Sequence, residues 1–234
     1  MNFSIDTELI AQAQAKLSGH RHVYWIVGGA GSGKSTICRA LSERFGIPVY
    51  DMDAQVYGAY HSRFSPKRHP VNSAWSASEN GLSWLLSMTW PQFNHFNQAA
   101  LAEYLDLLAQ DLSGMAPDVE LLIDGGISNP ALAAQVIPAH QMVCLENPGL
   151  SGAQVWEGSE PRLAMKSMVG ALEEPSNAWA RFLDFDAHIT ETIHKECLAT
   201  GIPIIMWQPS DAVAIVAARA AEMLGIRLST GEIS

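Results

Sequence analysis

Short apolar runs and longer amphipathic stretches alternate along the chain. Runs at 22–27, 47–51, 119–124, 140–145 and 202–207 are dense in Val, Ile, Leu and aromatic residues, with Gly, Pro, Asn or Asp nearby. That density is the signature of strands buried on both faces. Helical spacing predicts helices at 34–45, 130–136, 176–199 and 210–224, with Ser210 or Asp211 placed to cap the last. Upstream, Ile5, Leu9, Ala13 and Leu17 recur every four positions, as on one face of a short helix. Strand and helix signals in alternation imply βαβ units, and hence an α/β fold of three layers around a central, mainly parallel five-stranded sheet. Right-handed crossovers then put any ligand at the carboxyl ends of the strands.

Two segments break this rhythm within what reads as a single domain, 1–234. The stretch from about 54 to 118 is rich in Trp, His, Asn and Ser and has no clear strand. It reads as a helical insertion, with a stripe through Phe96, Ala100, Tyr104, Leu107 and Leu108 marking its longest helix. The second segment, about 148–175, sets Gly149, Gly152, Gly158, Pro161 and Pro175 around a short helix at 161–172, a composition that suits a mobile lid.

Composition narrows the classes. Hydrophobic residues are 48% of the 234 and charged ones 16%, which excludes a disordered chain. A net charge of −10 disfavours a nucleic-acid partner, whose phosphates want a basic surface. The first residues carry acids where a signal peptide needs a basic start, and no run approaches the roughly 18 apolar residues of a membrane span. The expectation is a cytoplasmic protein with no membrane partner, either monomer or homodimer. Cys38, Cys144 and Cys197, far apart and odd in number, read as reduced core thiols, and no His spacing suggests a metal site.

The candidate chemistry starts at Gly28-Gly29-Ala30-Gly31-Ser32-Gly33-Lys34-Ser35-Thr36, which fits G-x-x-x-x-G-K-[ST] at every fixed position, after a strand and before a helix. Such a loop aims backbone N–H groups at phosphate oxygens, at the positive end of the helix dipole. Lys34 is placed for the β- and γ-phosphates, Ser35 for Mg²⁺, and Thr36 for a further phosphate. Asp124 closes an apolar strand on the same edge, where it can hold Mg²⁺ through water; the alternative is a turn cap. Asp51 and Asp53 end another strand, separated by one residue and so on one face while the strand persists. Asp53 suits a proton acceptor for an attacking hydroxyl and Asp51 the metal environment; otherwise they are solvated turn residues.

In order of parts the chain resembles the small P-loop kinases, the superfamily of adenylate, shikimate, gluconate and nucleoside kinases. The resemblance rests on the loop at 28–36, the D-x-D of Asp51 and Asp53, the insertion, the D-G-G at 124–126 and the lid before the last strand. It implies an ATP- and Mg²⁺-dependent phosphotransferase acting on a small-molecule acceptor such as a nucleoside, nucleotide, sugar or hydroxy acid. It also implies a lid arginine over the transferred group, for which Arg162 is the best match, with Lys166 one turn on and Arg181 as runner-up. The base would be read by backbone near 208–211. A departure is the insertion, longer and richer in tryptophan than in shikimate kinase. The basic run 61–69 is either an anion-binding segment or a plain surface loop; Trp75, Trp84, Trp90, Phe93 and Phe96 are either pocket wall or insertion core. Two other classes remain: a conformational-switch ATPase, and a nucleotide-binding protein without transfer activity.

Overall fold

A computed structural model describes residues 3–208 and 210–227. The chain enters through α1 (Thr7–Leu17), capped by Asp6, whose carboxylate accepts the Glu8 and Leu9 N–H groups. Then follow β1 (Val23–Val27), α2 (Lys34–Phe45) and β2 (Val49–Asp51). Between β2 and the next strand the chain carries helices joined by loops: α3 (Met52–Val56), α4 (Pro70–Ser76), α5 (Gly81–Leu86) and the long α6 (Trp90–Leu112). After β3 (Leu121–Asp124) come α7 (Pro130–Ala133), β4 (Met142–Glu146), α8 (Gly152–Glu157), α9 (Glu160–Gly170), α10 (Ala178–Thr200), β5 (Ile204–Met206) and α11 (Val213–Leu224).

The five strands form one all-parallel sheet in the order β2-β3-β1-β4-β5. From the central β1 the chain first fills one side with β2 and β3, then crosses to the other for β4 and β5. The crevice beyond the carboxyl end of β1 is therefore the place where sheets of this kind receive ligands.

Alternation along the strands explains why they read as continuous apolar runs. Val23, Trp25 and Val27 face one layer with Ile123, Met142 and Cys144, packed on α1, α6 and α10. Tyr24 and Ile26 face the other with Leu122, Val143 and Leu145, packed on α2 and α11. Both faces are covered, so neither set can be polar. Trp25 is fully buried, and its indole N–H donates to the Gly125 carbonyl at 2.9 Å, which ties β1 to the turn after β3.

The sequence-based boundaries differ from the structure mainly where turn chemistry intervenes. The helix expected at 130–136 ends at Ala133. The helix expected to start at Ser210 or Asp211 starts at Val213, because Asp211 accepts the Gln208 N–H at 2.8 Å and closes a turn instead. Pro209, within the segment expected to read the base, lies outside the described residues. The three cysteines are buried and unpaired with one another. Among the described residues no helix is long and apolar enough to cross a membrane.

Candidate functional site

The glycine-rich loop joins β1 to α2 at the carboxyl edge of the sheet. Two of its glycines are required by their surroundings. Gly33 has φ +89°, and a Cβ there would fall on the ring of Trp207, whose indole N–H donates to the Ser32 carbonyl at 2.7 Å. Gly31 has φ +74°, and a Cβ there would strike Val155 of α8. The loop is thus clamped beneath by the residue after β5 and approached above by α8. α2 begins at Lys34 with no side-chain cap, so the N–H groups of its first turn have no acceptor within the helix. An anion is the natural partner for such an end.

Lys34, Asp53 and Asp124 converge beside this loop. The Lys34 ammonium donates to the Gly29 carbonyl at 3.0 Å. Burial lowers its pKa, opposed by the charges of Asp53 and Asp124. Asp124 is buried, and one of its carboxylate oxygens has no hydrogen-bond partner. It lies beside the Cys38 thiol of α2, which burial and this carboxylate push well up. Asp53 opens onto the cleft, yet the protein around it raises its carboxyl above the ordinary value, against the pull of Lys34 and a Gly126 N–H.

Two expected placements are corrected. Asp51 and Asp53 do not share a strand face, because β2 ends at Asp51 and the chain turns at once into α3. Asp51 caps that helix, accepting the Ala54 N–H at 2.9 Å, while only Asp53 lines the cleft. Asp51 still pairs in register with Asp124 across β2 and β3. Arg162 lines none of the cavities around the loop. Its guanidinium donates to the Val155 carbonyl at 2.8 Å and rests over Trp156. Lys166 pairs with Glu157, and Arg181 donates to the Leu86 and Met88 carbonyls, tying α10 to the insertion.

The basic run 61–69 turns away from the cleft. Arg63 pairs with Asp111 at 2.7 Å, and Arg68 grips Asp106 with two bonds of 2.7 Å. His69 adds a third at 3.0 Å. Of the five aromatics, Trp75, Phe93 and Phe96 line the cleft, whereas Trp84 packs on Phe3 and Phe96, and Trp90 on Phe185 and His188.

Asp186 of α10 also reaches the cleft, though no motif marks it. It interrupts an apolar stripe of Phe182, Phe185, Ile189 and Ile193, and that interruption was the available signal. Burial raises its carboxyl, opposed by Trp156, Lys34 and Arg162. It lines both cavities that flank the loop, one of about 270 Å³ on the side of Lys34 and Asp53, the other of about 450 Å³ beside Leu145–Pro148, α8 and α10. Gly29 and Ala30 also line both.

The cleft can therefore take an anion at the start of α2 and present carboxylates to a second molecule alongside. Among the described residues no group of three or more His, Cys, Asp or Glu is arranged to hold a metal by itself. The orphaned Asp124 oxygen and the exposed Ser35 fit a cation that is also held by a ligand's oxygens. Comparison of the chain with protein-family models and with curated proteins returns no match.

Proposed function

We propose that the chain is a phosphotransferase that uses ATP and Mg²⁺ to phosphorylate a small-molecule acceptor. The observation that carries this reading is the convergence of Lys34, Asp53 and Asp124 on a glycine-rich loop shared by two cavities. One cavity takes the donor, the other the acceptor, and their common wall is where a phosphoryl group passes.

In this reading the amides of 28–36 hold phosphate oxygens, and Lys34 exchanges the Gly29 carbonyl for the β- and γ-phosphates. Ser35 and Asp124 hold Mg²⁺, which when bound neutralises charge on those oxygens. Asp51 is left to cap α3. Asp53 accepts the proton of the acceptor hydroxyl, a task that its raised pKa favours. Arg162, held by the Val155 carbonyl and lining neither cavity, is left out of this reading.

An assay of ATP consumption across nucleosides, nucleotides, sugars, hydroxy acids and apolar alcohols tests this, with Lys34→Ala as control. Acceptor-dependent release of ADP, lost in Lys34→Ala, is expected. ATP hydrolysis that no acceptor changes would overturn the proposal in favour of a switch.

A further inference from the structure

The chemistry of the acceptor is written in the charges that surround its cavity. A second space of about 490 Å³ shares Asp53, Trp75, Phe93 and Asp186 with the cavity beside Lys34 and extends it between α5, α9 and α10. Its walls are apolar, and Trp156, Phe182 and Phe185 supply rings. Among the described residues, the charged groups lining these two spaces are Lys34, Asp53 and Asp186.

The arginines that sequence alone offered for an anion are engaged elsewhere. Arg63 and Arg68 hold Asp111 and Asp106, while Arg162 and Arg181 hold backbone carbonyls. An acceptor bearing a carboxylate or phosphate would meet two carboxylates beside a largely apolar wall. The only ammonium there, among the described residues, is the one that donor phosphates claim. Burying an unpaired anion in such a place is costly. The surroundings of Asp53, including the charges of Asp124 and Asp51, and the burial of Asp186 already raise both carboxyls, so a third negative charge would be disfavoured there. The amide nitrogen of Asn97, which lines the cavity beside Lys34, is buried with no acceptor. Any oxygen acceptor on the ligand, a carbonyl, ether or hydroxyl oxygen among them, would satisfy it.

We infer that the acceptor is an alcohol with an apolar, ring-bearing body and no anionic group. This rests on the phosphotransfer reading for the word acceptor, but the ligand class follows from the lining alone. Two matched probes test it: the methyl ester of para-(hydroxymethyl)benzoic acid, and the free carboxylate of the same alcohol. Their binding is followed by calorimetry on the full chain.

The ester is expected to bind about ten-fold or more tightly than the carboxylate, a modest demand beside the cost of burying an unpaired anion. Met168 lies at the exposed rim of the apolar wall, so Met168→Arg brings a cation there without disturbing the core. That variant should narrow the preference by about three-fold or more, the scale of one partly screened ion pair. Equal or tighter binding of the carboxylate by the native chain, or no binding of the ester, overturns the inference. ATP-dependent phosphorylation of the ester is read separately. Preferential binding of the ester leaves the ligand class standing whether or not it is turned over, and the phosphotransfer reading falls only if no acceptor changes ATP hydrolysis.

Discussion

Two clusters of charge, one in the insertion and one at the glycine-rich loop, meet burial in opposite ways. Asp106 of α6 has a fully buried side chain, and Arg68, His69 and Gln110 all bond to it. Although burial alone would raise it, His69, Arg68 and the charge of Lys16 hold its carboxyl far below the ordinary range. Asp53 and Asp186 have too few partners to offset burial and are raised instead, while Asp124 keeps an oxygen without any. A buried charge whose partners are all within the chain has a structural task that is complete. A charge left short of partners at the mouth of a cavity has a place for something the chain does not contain.

The largest expected effect separates the two clusters by removing a cation. Lys34→Ala should lower phosphotransfer by about a thousand-fold, the scale of losing a preorganised charge on developing phosphate charge. Folding should be affected far less, since Lys34 makes one hydrogen bond, to Gly29, and its pull on Asp53 and Asp124 is offset by its own burial. A variant that is markedly less stable but keeps its specific activity while folded would make Lys34 structural, like Arg68.

Next in size is Asp53→Asn, expected to slow turnover about a hundred-fold, as for loss of a general base. The raised carboxyl also fixes a pH profile. Asp53 must be ionised to accept a proton, so activity should fall with acid at a pH above the ordinary aspartate range. Asp53→Asn should lack that acid limb. Retention of the limb in the variant would assign it to another group.

In the insertion the same exchange should act on stability and leave turnover alone. Asp106→Asn removes the charge that holds Arg68 and His69, and should cost about 2 kcal/mol in denaturant unfolding near neutral pH. A lowered pKa stabilises the fold above the unfolded-state value, and that stability is lost as pH falls through the lower folded value. The difference between native and variant chains should therefore shrink in acid. A constant difference at every pH would mean that shape, not charge, makes the contact.

The contrast also marks how far sequence could be read. The central strands were legible because both faces of the sheet are covered there and their inner positions must be apolar. The loop at 28–36 was legible because its spacing is local. The pairing of Asp51 with Asp53 was misjudged because one turn decides it: the strand stops, and Asp51 becomes a helix cap. Whether basic residues at 61–69 served a ligand depended on Asp106 and Asp111, distant in sequence and on another helix. Asp186 approaches Lys34 through tertiary packing, and the break it makes in the apolar stripe of α10 says nothing of which residue it meets.

The smallest effect gives the most direct check on the comparison, because it asks whether a carboxylate at the cleft burdens the fold. The Asp186 carboxyl is raised, so the fold favours its protonated form. Its contribution to stability is fully present below the unfolded-state pKa and is lost as pH rises through the folded value. Asp186→Asn keeps the shape and removes the charge. It should raise Tm by about 1–3 °C at neutral pH, and the gain should vanish in acid where the native carboxyl is protonated. A lower Tm at neutral pH would mean that Trp156, Lys34 and Arg162 answer Asp186 as fully as Arg68 and His69 answer Asp106. The charge at the loop would then be structural too, and the division between the two clusters would fail.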